Sequence, residues 1–160
     1  MKRFLIVLFL VAIGQIGSLA ADKLPGKIKL LPGYSMHREE SVDASAWTIG
    51  KVAGLTINYE AGSSEGSAAD PAKQNIYAWY KEQLVNGYKV RVALIKPGLK
   101  TIFETEDSLG QEPGNILVVT FLLGGERSDF AANFVAKVAN SEEIADVLLM
   151  AFTFDPSKGI

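Results

Sequence analysis

The chain has one histidine, no cysteine and 18 aspartate and glutamate residues, so acid–base or metal chemistry would have to be built from His37 and carboxylates. A Ser-His-Asp triad would use His37, with Asp43 or Asp70 to orient the ring. No G-x-S-x-G nucleophile elbow accompanies it. His37 opens the polar stretch HREESVD (37–43) and reads as a solvated side chain, so no catalytic residue is assigned.

Glu39, Glu40 and Asp43 could offer oxygens to a hard cation. Calcium needs six to eight oxygens, usually from a compact loop with a glycine-permitted turn, and this stretch lacks that spacing. Transition metals would ask for more histidine or cysteine. We expect no metal site and no cofactor. The loop Gly62-Ser63-Ser64-Glu65-Gly66 lacks the lysine and the strand–loop–helix setting of a phosphate cradle. Glu60, Glu65, Glu82 and Glu104 could supply a carboxylate pair, but such a pair is defined by its separation across a substrate. A carboxylate-dependent hydrolase helped by His37 therefore stands as an alternative reading.

Aromatic side chains are the better binding candidates. Trp47, Tyr77, Trp79, Tyr80 and Tyr88 fall in strand-like segments, where they could line a ligand pocket or fill the core. Arg127 sits in the turn GGERSD (124–129), either a solvated tip or a recognition tip. These six residues are the expected contacts for a small molecule, a peptide or a protein partner.

The elements that would position them centre on residues 76–95, IYAWYKEQLVNGYKVRVALI. Asn86-Gly87 suits a type I′ turn, which needs positive φ at both central residues. Beyond it, Tyr88, Val90, Val92 and Leu94 alternate with Lys89, Arg91 and Ala93, a strand with one apolar face. A two-residue loop places Val85 opposite Tyr88, Glu82 opposite Arg91 and Trp79 opposite Leu94. That register also sets Lys81 and Gln83 on the apolar face. Either the face is solvated near the turn, or the loop is longer. A competing reading makes 71–85 a helix, with Asp70-Pro71 at its start and Ile76, Trp79, Tyr80 and Leu84 as its stripe. One helical turn after Pro71 is compatible with the hairpin.

Residues 1–20, with Lys2 and Arg3 before an apolar run and Ser18-Leu19-Ala20 after it, read as a secretory signal peptide. Residues 21–160 would then be a single exported domain, periplasmic or secreted, with no membrane span once the leader is cleaved. Its loss takes the formal charge from −2 to −4, and an acidic, unpatterned surface offers no footprint for nucleic acid.

Within that domain, residues 27–31 form an apolar run closed by Pro32-Gly33, and 34–38 a short strand. Residues 47–52 and 55–59 make a hairpin, and 100–104 another short strand. Residues 116–123, ILVVTFLL, read as a central strand covered on both faces, and 130–138 as its neighbour. Residues 61–75 hold almost nothing that could anchor a core and read as a mobile connection, with a binding loop as the alternative. After Asn140 the period changes: Ile144, Val147, Leu148 and Ala151 follow helical spacing behind Glu142 and Glu143. The expected fold is α+β: a mainly antiparallel sheet built from hairpins, either open or strongly curled to protect its edges, with one C-terminal helix packed on it.

In GLTINYEAG (54–62), WYKEQLVNGYKV (79–90) and SEEIADVLLM (141–150), the chain resembles small exported bacterial proteins with no assigned activity. The resemblance spans most of the mature region, rests on structural motifs and carries no catalytic residue across. It implies an exported domain. We expect a non-enzymatic binding module, with a structural or assembly role through a sheet edge as a further reading.

Overall fold

At the centre of the hairpin, Asn86 has φ +51° and Gly87 φ +83°, as a type I′ turn requires. Its strands, β4 (Tyr77–Val85) and β5 (Tyr88–Ile95), pair Val85 with Tyr88, Glu82 with Arg91 and Trp79 with Leu94. The helical reading of 71–85 is thereby corrected. Only Pro71–Ile76 is helical, a 3-10 segment whose N-cap, Asp70, accepts a hydrogen bond from the Ala72 amide at 2.9 Å. Cross-strand pairing of β-branched and aromatic residues wins over the weak stripe.

The structure, a computed structural model, describes residues 26–39, 45–62, 68–97, 115–124 and 130–158. Five further strands lie among them. These are β1 (Ser35–Arg38), β2 (Ser45–Gly50), β3 (Thr56–Gly62), β6 (Asn115–Leu122) and β7 (Ala131–Val138). All pairing is antiparallel, in the order β1-β2-β3-β7-β6-β5-β4. The sheet is not closed, and among the described residues β1 and β4 are its edges. The helix α1 (Ser141–Ala151) packs on one face, making an α+β architecture. Asn140 caps it by accepting from the Glu143 amide at 3.0 Å, while Glu143 accepts from the Ala139 amide at 2.7 Å.

Alternation sorts the strand residues onto two faces. Toward α1 lie Trp47, Ile49, Ile57, Tyr59, Val90, Val92, Leu117, Val119, Phe121, Phe134, Ala136 and Val138, closed by Val147, Met150, Ala151 and Phe154. The run 27–31 joins this core through Ile28, Leu30 and Leu31. It pairs with the chain's end through one bridge, Lys27 to Asp155, rather than as a strand of the sheet.

The opposite face holds a second, smaller core: Tyr77, Ala93, Ile95, Ile116, Val118 and Val135, covered by Ala69 with Ala68 and Ile76 beside it. Residues 68–76 are therefore a strap over the sheet, which corrects the expectation of a mobile connection there. Its anchors are backbone amides: Ala69 donates to Thr120 Oγ1 at 3.2 Å and Ala68 to Asn133 Oδ1 at 3.1 Å. With strap and helix on its two sides, β6 is buried on both faces, as its unbroken apolar sequence predicts. The expected signal peptide at 1–20, the expected strand at 100–104, Glu40, Asp43, Glu65 and residues 125–129 with Arg127 lie outside the described residues. Among the described residues, no helix is long and apolar enough to cross a membrane.

Candidate functional site

The nine residues of β4 pair with β5 on one side only and form a free edge among the described residues. A two-residue hairpin makes Val85–Tyr88 a hydrogen-bonded pair, and such pairs alternate along the ladder. The amides and carbonyls of Tyr80, Glu82 and Leu84 therefore point away from β5. Trp79, Lys81, Gln83 and Val85 project toward the α1 side of the sheet, and Tyr80, Glu82 and Leu84 toward the strap side. Trp79 is 45% exposed and Leu84 76%, so each side of the edge shows one large apolar residue. The edge position also accounts for Lys81 and Gln83 on an otherwise apolar face. The loop has two residues, and the face is solvated where the sheet ends.

Glu82 is the polar centre of this strand. Its Oε1 accepts from the Tyr80 hydroxyl at 2.7 Å and from Arg91 Nε at 3.1 Å, and its Oε2 lies 2.8 Å from Lys89 Nζ. The Lys89 ammonium, then the Tyr80 hydroxyl, hold its carboxyl down at about 2. The polar row continues across the sheet from Arg91 through Thr120 and Asn133 to Glu60, which occupy successive register positions. Thr120 is the polar side chain buried at its middle, donating to Asn133 Oδ1 at 2.7 Å.

The predicted aromatic contacts separate. Tyr77 and Tyr80 come together on the strap side, rings stacked at 5.6 Å, and the Tyr77 hydroxyl accepts from the Asp70 amide and donates to its carbonyl. Trp79 stands on the opposite face of the same strand. Trp47 is buried in the main core against Tyr59 and lines no surface, and Tyr88 packs half-buried beside the turn. The sequence reading raised pairing through a sheet edge but did not assign that edge to β4 or count Leu84 among the contacts, although Lys81 and Gln83 on the apolar face were the signal for both.

A second group of polar side chains lies midway along α1. Asp146 Oδ2 accepts from the Tyr34 hydroxyl at 2.6 Å and from Lys51 Nζ at 3.0 Å, and Lys51 also sits 4.5 Å above the Tyr34 ring. These bonds, that from Tyr34 first, hold Asp146 below the usual carboxylate range, while burial pushes the Tyr34 phenol up. An ionised acceptor and a reluctant phenol make a fastening between α1 and the loops around β1 and β2. They do not make an acid–base pair. The adjoining cleft, with Asn140, Glu142 and Glu143 on its wall, holds about 190 Å³, small against the roughly 300–1,000 Å³ of ligand pockets.

His37 is exposed on edge strand β1, 3.0 Å from Ser35 Oγ, and Glu39 accepts a hydrogen bond from Thr48. Among the described residues, no group of three or more metal-ligating side chains comes together. Compared with known proteins, the chain matches no protein family, no curated protein and no solved structure.

Proposed function

We propose that the protein is an exported, non-enzymatic binding domain that joins another protein chain by strand addition along β4. The observation that supports this is the nine-residue edge with three outward-facing peptide units and exposed Trp79 and Leu84. An added strand satisfies such backbone groups, and the side chains beside them select the partner. Lys81 and the register shift between Tyr77 and Trp79 guard the edge against indiscriminate pairing, as charges and bulges do in natural sheets. Export rests on the leader-like residues 1–20.

The test is native mass spectrometry on protein purified gently from the cell envelope of its source, beside a Leu84→Pro variant. Proline at that position deletes one outward amide and leaves the bonds to β5 in place. The expected result is retained partner mass on the wild type and its loss from the variant. Equal retention by both, or no retained mass on the wild type, overturns the reading.

A further inference from the structure

Resting on the strand-addition reading, we propose that the chain seated on β4 is a second copy of this protein. The two β4 strands run antiparallel about a two-fold axis through Glu82, joining two sheets into one. A two-fold axis perpendicular to the sheet keeps both α1 helices on one side, and it sets opposite each other residues that share a face. Hydrogen-bonded pairs then form among Tyr80, Glu82 and Leu84, whose peptide groups face outward.

With the axis at Glu82, Tyr80 meets Leu84, Trp79 meets Val85 and Lys81 meets Gln83, each pair occurring twice. Both exposed apolar side chains of the edge, Trp79 and Leu84, gain apolar partners. The two Glu82 carboxylates face each other, and each arrives already ringed by its own Tyr80 hydroxyl, Arg91 and Lys89. Four cations thus surround two anions, and the like-charge contact is screened from within each copy.

The neighbouring registers lack this complementarity. An axis at Lys81 sets two ammonium groups against each other across the closer type of pair and carries Leu84 to Ala78, at the register shift. An axis at Gln83 sets Glu82 against Leu84 and Lys81 against Val85, and it runs Trp79 past the turn to Gly87. Self-association centred on Glu82 is the arrangement that matches apolar with apolar and leaves no bare charge opposed.

The absence of cysteine makes the register directly readable. Lys81 and Gln83 would face each other as a non-hydrogen-bonded pair with Cα atoms about 4.5 Å apart, which is within disulfide reach. Lys81→Cys and Gln83→Cys proteins are oxidised with diamide, separately and as an equimolar mixture. The mixture should form a linked dimer roughly a hundredfold faster than either protein alone, since pairing raises the local thiol concentration to the millimolar range. Wild-type protein should show a doubled mass by sedimentation, and Leu84→Asp, which leaves the backbone unaltered, should return it to monomer.

Preferential self-linking of either single variant overturns the register. A wild-type monomer with no linking in the mixture overturns the second copy. In that case the broader reading is judged separately, by whether a different partner mass is retained and lost in Leu84→Pro.

Discussion

The side-chain amide of Asn86, at the tip of the β4–β5 turn, donates to the carbonyl of Phe154 at 2.9 Å and reaches that of Phe152 at 3.5 Å. One residue thus closes the hairpin through its positive φ and ties it to the chain beyond the C-terminal end of α1, where carbonyls lack helical partners. Asn86→Gly keeps the turn and loses the tie, and should lower unfolding free energy by about 1 kcal/mol in urea titrations. Asn86→Asp faces a carboxylate toward carbonyl oxygens, so its deficit should be larger at neutral pH than in acid, where the group can donate again.

Glu82 gives the protein an acid-sensitive contact. Its carboxyl is held at about 2 in the fold, below the ordinary 4.5. A depressed carboxylate contributes stability that is fully present above the unfolded value and is lost as pH falls toward the folded one. Urea midpoints of wild type and Glu82→Gln should differ most at neutral pH and converge between about 4.5 and about 2. Because Glu82 and Lys89 are each about a third exposed, 1 M salt should narrow the gap.

Thr120 is the anchor of the strap. Thr120→Val preserves shape and removes both the acceptor used by the Ala69 amide and the donor to Asn133. Stability should fall by about 1–3 kcal/mol, as expected when buried hydrogen bonds lose a partner. Hydrogen exchange at the Ala69 amide should accelerate more than exchange in β7. Uniform acceleration would show that the strap and sheet open together.

Tyr59 is enclosed by Trp47, Phe134 and Phe154, with ring centroids 5.5, 4.7 and 5.7 Å away. Its buried hydroxyl has no hydrogen-bond partner among the described residues, and burial pushes the phenol up. Tyr59→Phe should leave unfolding free energy unchanged or raise it by up to about 1 kcal/mol. A loss of that size in denaturant titrations would reveal a partner, such as an enclosed water.

Gly26 (φ +147°) lies directly under Phe154, and a Cβ there would drive into the aromatic ring. Gly26→Ala should cost about 1–3 kcal/mol by overpacking. In a double-mutant cycle with Phe154→Leu the two effects should be non-additive, because the smaller side chain frees the space the methyl needs.

The amino-acid sequence by itself determined what depends on neighbours along the chain. Asn86-Gly87 set the turn and, with the alternation after it, the register from Val85–Tyr88 to Trp79–Leu94. Asn140 and the spacing of Ile144, Val147, Leu148 and Ala151 set α1, and the unbroken apolar run set β6 as a strand covered on both sides. Only the tertiary structure decided the order of strands. Alternation tells which residues share a face, but β3 beside β7 and β4 at the edge follow from pairings summed over the whole chain. That order buries Trp47 and leaves Trp79 exposed, although both are tryptophans in similar strand patterns. The strap was equally hidden, because Ala68 and Ala69 hold it through backbone amides, and an amide leaves no mark on the sequence that carries it.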